Sequence, residues 1–369
     1  MDLLTGFQPR PNAYLRFDEL RALFQDFGAR PGFSVRTVGQ SECERPIELL
    51  SFGERKGSGT GDILIYGGED ATEPIFSLTM KWLIEELADS DSPIHKRDYR
   101  WHFLSCINPD GYVKNESWFS EPGKLESFLD HGWEDLHRRM IHFCQEERPE
   151  LKALREAISL VEPDVIFNAH DESHFPADGY KYATSEAVPR EHLQGHLSRV
   201  EAFMDLSEEE LVLTEDYGRD PVFSVAPAFE QGRVPLVFLN ETCGYRRKEG
   251  AVDCVHLDKS DDLYGHLERY LKLLEEHERS ELCSALFHVR LLLQSFDGEA
   301  GFNSKMLAIT GHGLRVLLAD GVEEAREIRR AFWQHIEENF ARTWEPVPLW
   351  QQVVTQLDFL FTMLDWRGA

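Results

Sequence analysis

Two acidic residues stand three positions apart where an expected buried strand gives way to a helix. Asp70 and Glu73 follow a pair of glycines, and this spacing lets both side chains point to one place from the first helical turn. His170 follows a second expected strand, and Glu241 follows a third. A hydrolytic zinc site needs about three protein ligands and one open position for water. Carboxylates and an imidazole meeting at one sheet edge would suit that chemistry.

The elements around these residues predict how they are positioned. Short apolar runs predict buried strands, and amphipathic runs between them predict helices. Their alternation predicts an α/β fold with a mixed, mostly parallel central sheet and helices on both faces. The expected strands are 33–38, 47–52, 62–66, 99–107, 164–168 and 235–240, and the expected helices are 14–28, 74–87 and 149–160. Ligand sites in such sheets lie at the carboxyl ends of the strands.

The last part of the chain has a different pattern. An amphipathic helix is expected from residue 263 to 278, and further helical patterns cover 284–296, 322–340 and 348–364, with a looser segment at 298–313. We therefore predict a catalytic domain over residues 1–282 and a mostly helical C-terminal extension over 283–369. The apolar stripes of the extension favour packing or oligomer contacts over cofactor binding. The pattern leaves the oligomeric state open.

Composition excludes several classes of partner. The 369 residues carry a formal net charge of −27, so the surface should repel phosphate backbones and we expect no nucleic-acid partner. No apolar run approaches the length of a membrane span. The first residues lack the basic and apolar regions of a leader peptide, and the six cysteines are scattered. We therefore expect a cytoplasmic protein in a reducing compartment.

Several short motifs follow one another in a fixed order. The segment 39–47 reads Gly-Gln-Ser-Glu-Cys-Glu-Arg-Pro-Ile, Asp70-x-x-Glu73 comes next, and Asn108 to Tyr112 reads Asn-Pro-Asp-Gly-Tyr. Residues 135–138 then read Asp-Leu-His-Arg. Together with the late His170 and Glu241, this order resembles the zinc metallocarboxypeptidase family and its succinylglutamate desuccinylase and aspartoacylase relatives. The resemblance spans roughly residues 14–242.

The resemblance implies a role for each matching residue. Asp70, Glu73 and His170 would hold zinc, and Glu241 would be the general base that takes a proton from metal-activated water. The substrate would be contacted by Arg138, Arg45 and His137, with Arg138 receiving a substrate carboxylate through a bidentate pair. The implied reaction is hydrolysis of an amide bond next to a free carboxylate. Its substrates would be small peptides or modified amino acids.

Two departures from the family pattern leave alternatives open. Asp70 stands where the family has histidine, and a second carboxylate would weaken zinc as a Lewis acid, so manganese or another oxygen-preferring ion is conceivable. The family also has an arginine soon after Asn-Pro-Asp-Gly, whereas residues 113–122 contain only Lys114 as a cation. One alternative is therefore a weak or inactive pseudoenzyme that binds peptides or a partner protein. Another is an N-acyl amino acid deacylase.

Overall fold

The computed structural model describes most of the chain in thirteen ranges. These are residues 11–54, 61–120, 148–172, 180–184, 188, 190–204, 211–213, 235–248, 255–257, 262–277, 279–296, 298–300 and 304–368. The predicted substrate residues Arg138 and His137 lie outside the described residues.

The fold is organised around a mixed sheet of eight strands. Its strands are β1 (Phe33–Gln40), β2 (Pro46–Phe52), β3 (Gly61–Gly67), β4 (Tyr99–Leu104), β5 (Val165–Glu172), β6 (Tyr180–Thr184), β7 (Leu211–Leu213) and β8 (Leu236–Cys243). Their order across the sheet is β1-β2-β4-β3-β5-β8-β6-β7. The central strands β4, β3, β5 and β8 run parallel. Antiparallel pairing joins β1 to β2, β2 to β4 and β6 to β8.

Helices cover both faces of this sheet, and further helices follow in the C-terminal part of the chain. They are α1 (Phe17–Gly28), α2 (Ile75–Ala88), α3 (Pro109–Asn115), α4 (Pro149–Val161), α5 (Arg190–Met204), α6 (Asp262–Glu276), α7 (Cys283–Ser295), α8 (Ser304–Ala319), α9 (Glu324–Thr343) and α10 (Leu349–Gly368). Two short antiparallel ladders pair β10 (Val255–Leu257) with β11 (Gly298–Ala300), and β9 (Tyr245–Arg247) with β12 (Trp344–Pro346). The predicted α/β class, with a mixed, mostly parallel sheet and a helical C-terminal part, is confirmed.

Alternation along the strands divides the buried side chains between two cores. In β5, Phe167 joins the larger core, which α1, α2, α5 and α10 cover, whereas Ile166 joins a smaller core beneath α4. This division follows from the period of two, which sends successive side chains to opposite faces. Both faces of the central strands are therefore buried from solvent. Their carboxyl-end edge is where polar side chains gather.

The C-terminal helices do not all pack in the same place. Helices α6 to α9 pack against one another, whereas α10 packs on α2, α5 and β8. The last helix of the predicted extension thus shares a core with the central sheet. The domain boundary expected at residue 282 stays a prediction. Within the described ranges, none of the helices is both long and apolar enough to cross a membrane.

Candidate active site

The loop from β3 to α2 brings acidic residues over the edge of the sheet. Gly68 has φ +75°, a conformation that favours glycine, and a Cβ there would collide with Phe76 and Cys106. The chain can turn sharply at this point only because no side chain is present. Glu69 and Glu73 follow the turn, and both are buried.

His170 lies between these two glutamates. Its Nδ1 atom is 2.5 Å from Oε2 of Glu73, and its Nε2 atom is 2.9 Å from Oε2 of Glu69. The second oxygen of Glu69 accepts a hydrogen bond of 3.0 Å from Nδ2 of Asn168, two residues before His170 on β5. The imidazole is therefore held on both sides, and one of its two carboxylate partners is itself held by the same strand.

Glu241 completes the cluster from the neighbouring strand. The parallel register of β5 and β8 places Glu241 opposite His170. One ligand atom each from Glu73, His170 and Glu241 lies within 4.8 Å of the other two. Both His170 and Glu241 still belong to their strands, rather than following them as the sequence had indicated. The described residues thus bring together two of the three predicted metal ligands and the predicted base.

Asp70 is hydrogen-bonded to Thr72 within the same loop. Its Oδ1 atom accepts hydrogen bonds from the backbone N–H and the hydroxyl of Thr72, at 3.1 and 2.7 Å. Such bonds form a local turn that shapes the chain before α2. Among the residues that the structure describes, the Oδ2 atom of Asp70 receives no hydrogen bond. Its predicted place among the metal ligands stays a prediction.

The electrostatics of the cluster favour a bound cation. Burial raises the pKa of Glu73 well above its usual value, and the charges of Asp70 and Glu241 add to this effect while His170 opposes it. Burial disfavours the charged form of His170, yet the neighbouring Glu73 and Glu69 carboxylates raise its pKa well above the usual range. Several carboxylates therefore share a poorly solvated space, where a positive charge is favourable.

Asp171, the next residue on β5, fixes the helix that begins after Glu73. Its Oδ1 atom accepts a 3.1 Å hydrogen bond from the backbone N–H of Ile75, the first residue of α2. Its Oδ2 atom accepts one of 3.4 Å from the hydroxyl of Tyr14. Asp171 is fully buried. The strand that carries His170 thereby supports the start of the helix next to Glu73.

The Asn-Pro-Asp-Gly-Tyr motif supports the acidic loop from the other side. The segment begins the short helix α3, where the side-chain oxygen of Asn108 accepts a 3.0 Å hydrogen bond from the backbone N–H of Gly111. The backbone N–H of Asn108 donates to Gly68, and its Nδ2 donates to the carbonyl of Glu69. The motif therefore holds the loop that presents Glu69 and Glu73.

Arg45 forms an ion pair with Asp110 of the same motif. Its Nη1 atom lies 2.6 Å from Oδ1 of Asp110, which also accepts from the hydroxyl of Ser41 at 2.8 Å. The hydrogen bond and charge of Asp110 raise the pKa of Arg45 despite partial burial. This contact ties the turn between β1 and β2 to α3. The predicted role of Arg45 toward a substrate stays a prediction, and Lys114 is exposed.

A match to a known protein family includes several of these motifs. The model of the zinc carboxypeptidase family matches residues 21–140. The resemblance to zinc carboxypeptidases is confirmed over this span. The matched residues include Asp70, Glu73 and Asn108 to Tyr112, whereas His170 and Glu241 lie beyond it. No curated protein matches the chain.

Solved structures of carboxypeptidases are similar to the chain at low sequence identity. A metallo-carboxypeptidase from Burkholderia cenocepacia is 15% identical, with a TM-score of 0.42 over 83% of this chain and 69% of that one. A Pseudomonas aeruginosa metallo-carboxypeptidase in complex with (2-guanidinoethylmercapto)succinic acid is 16% identical, with a TM-score of 0.41 over 84% and 69%. Carboxypeptidase A from Helicoverpa armigera is 15% identical, with a TM-score of 0.41 over 64% and 66%.

Three residues of the cluster were not assigned by sequence reasoning. Glu69 directly precedes Asp70, Asn168 ends the expected strand 164–168, and Asp171 follows His170 beyond that strand. The carboxylate of Glu69 reaches a ring nitrogen 101 residues away, and no local pattern encodes such a contact. The only signal available was the placement of polar residues at the end of an otherwise apolar strand.

Proposed function

We propose that the chain is a metal-dependent carboxypeptidase, which hydrolyses an amide bond next to a free carboxylate. The observation that supports this most is the convergence of Glu73, His170 and Glu241, whose ligand atoms lie within 4.8 Å of one another. The match of residues 21–140 to the zinc carboxypeptidase model supports the same class of enzyme.

The donor set fits a small divalent cation. One imidazole nitrogen with carboxylate oxygens suits zinc, and its oxygen-rich character also suits manganese. Burying several carboxylates together is unfavourable without a compensating positive charge. In our proposal Glu73 and His170 hold the ion, and Asp70 is the further ligand from the same loop. A divalent ion held there supplies a Lewis acid that polarises the scissile carbonyl.

The protein side chains then divide the remaining tasks. Glu241 accepts a proton from the attacking water at a carboxylate oxygen and passes it to the leaving amine. Glu69 forms a hydrogen bond with the Nε2 atom of His170, so the other ring nitrogen, Nδ1, is directed toward Glu73. Such outer carboxylates set the orientation and basicity of metal-binding histidines. Arg138 and His137 are proposed to contact the substrate carboxylate, so that short peptides with free C-termini are the substrates.

A pair of matched peptides tests this function. The zinc- or manganese-loaded protein should release the last residue of a peptide with a free C-terminus and leave the amidated peptide intact. Cleavage of neither peptide, with binding of the free acid alone, would instead favour a peptide-binding pseudoenzyme. Cleavage of N-acyl amino acids but not of peptides would favour the deacylase alternative.

The variant Glu241→Gln separates the two tasks that Glu241 could perform. Loss of hydrolysis with retention of the metal is expected of a general base, because a neutral amide cannot accept the proton. Loss of the metal together with hydrolysis would make Glu241 a ligand instead. Retention of full hydrolysis would contradict the proposed mechanism.

A further inference from the structure

The C-terminal helix reaches the metal cluster through one buried amide. Gln356 lies on α10 and is fully buried. Its Nε2 atom donates a 2.7 Å hydrogen bond to the backbone carbonyl of His170, and its Oε1 atom accepts one of 2.5 Å from the hydroxyl of Thr79. Thr79 is a fully buried residue of α2. One side chain therefore joins three elements of the fold.

One of these elements carries a residue that we propose to bind metal, and another begins just after a second such residue. His170 belongs to β5, and Glu73 stands just before α2. The pairing of β5 with β3 ends at Ala169, so the ladder to β3 does not extend to His170. Gln356 holds the backbone of His170 just past that point, while its other bond holds α2.

A buried amide in this position resists displacement. Each of its polar atoms would lose its partner if α10, β5 or α2 shifted, and a buried polar group without a partner is unfavourable. The contact spans 186 residues to His170 and 277 residues to Thr79. A shift of the C-terminal helix would therefore disturb the hydrogen bond to the backbone of His170, which we propose to bind metal.

We propose that Gln356 is a positioning residue, through which the C-terminal helix sets the backbone of His170 and thereby the affinity of the metal site. This inference rests on the proposed function. Helix α10 would support the site from the face of the sheet opposite to the one that α4 covers. Gln356 is not one of the residues that we propose to contact metal or substrate, and it would act through His170 and Thr79.

A second glutamine on the same helix offers a matched control. Gln352 is one turn earlier, is also buried, and donates from Nε2 to the carbonyl of Val347 at 3.0 Å. It contacts the start of α10 rather than the cluster. Gln356→Met and Gln352→Met therefore remove the same group from the same helix, and only the first removes a contact to His170.

The test compares zinc affinity by competition with a chromophoric chelator, together with the melting temperature of the metal-free proteins. Both variants should melt at lower temperature than the parent. Gln356→Met should bind zinc about 10- to 100-fold more weakly, as is typical when a contact behind a metal ligand is lost, whereas Gln352→Met should keep the parental affinity. Equal affinities in the two variants would overturn the proposal.

A third variant keeps the proposal testable if Gln356→Met does not fold. Thr79→Val removes the hydroxyl bond while retaining shape, so it should weaken zinc binding in the same direction and to a smaller extent. Parental affinity in Thr79→Val would then contradict the proposal. Absence of zinc binding by the parent protein itself would overturn the proposed function and this inference with it, a result distinct from equal affinities among the variants.

Discussion

Glu69 and His170 form a hydrogen bond of 2.9 Å between Oε2 and Nε2, on the ring nitrogen opposite the one that faces Glu73. The two residues are 101 positions apart. The bond is itself supported by Asn168, which donates to the second oxygen of Glu69. The arrangement directs the Nδ1 side of the imidazole toward Glu73, as the proposed metal site would require.

Removing Glu69 should weaken metal binding without removing a ligand. Glu69→Ala leaves the Nε2 side of His170 without its partner, and loss of such a partner typically costs about 10- to 100-fold in metal affinity. Glu69→Gln retains a carbonyl that can accept from Nε2, so it should bind zinc much more tightly than Glu69→Ala. Chelator competition measures both. Indistinguishable affinities of the two variants would argue against an orienting role.

Asp70 can be tested separately as a turn residue and as a ligand. Asp70→Asn keeps an oxygen that accepts from Thr72 but loses the negative charge. If Asp70 holds the metal, this variant should melt like the parent when metal-free and yet bind zinc markedly more weakly. Asp70→His restores the residue of the family pattern and should strengthen zinc binding. Unchanged zinc affinity in Asp70→Asn would show that Asp70 shapes the loop and does not bind the metal.

Metal uptake should release protons, and affinity should rise with pH. The Glu73 and Glu69 charges outweigh burial and raise the pKa of His170 above its ordinary value of 6.5, and burial raises that of Glu73. Both groups must lose their protons to bind a cation. Calorimetric titration in two buffers of different ionisation enthalpy measures the release. Proton uptake, or affinity that falls as pH rises, would be inconsistent with this site.

The raised pKa of His170 has the opposite consequence for the metal-free protein, whose stability should fall as pH rises. A raised pKa of His170 in the folded state means that protonation stabilises the fold below the unfolded pKa of 6.5. This contribution is lost as pH rises through the folded value. His170→Gln should therefore flatten the pH dependence of unfolding above pH 6.5. The control His192→Gln alters an exposed residue of α5 and should leave that dependence unchanged.

Asp171 should matter for stability through the start of α2. Asp171→Leu leaves the backbone N–H of Ile75 without its buried acceptor, which should lower the free energy of unfolding by about 1–3 kcal/mol. Asp171→Asn keeps an oxygen for that bond and should lose less. Urea unfolding of the metal-free proteins provides the comparison. A larger loss in Asp171→Asn than in Asp171→Leu would show that charge, rather than capping of α2, is what Asp171 supplies.

The sequence predicted the sheet and much of the cluster because both depend on local patterns. Apolar runs located the central strands, and polar residues at their ends located His170 and Glu241. The contacts that hold these residues in place were not predictable in this way. Glu69 to His170 and Gln356 to His170 join distant parts of the chain, and their pairing is decided by how the helices pack.

The segment expected to be loose between residues 298 and 313 shows a second limit. Its pattern is looser than that of the flanking helices, yet residues 304–319 form α8. In the structure a Cβ on Gly311 would collide with Trp333, and one on Gly313 would collide with Tyr270 and Ala285. These glycines allow close packing between helices rather than a turn. A single sequence does not distinguish these two uses of glycine.

Bound metal is the most direct test of the central claim. Elemental analysis of the purified protein, after incubation with zinc or manganese and removal of free ions, should find about one ion per chain. His170→Ala should lose that ion, whereas His192→Gln should retain it. Absence of metal from the parent protein after incubation with either ion would contradict a metal centre built on Glu73 and His170.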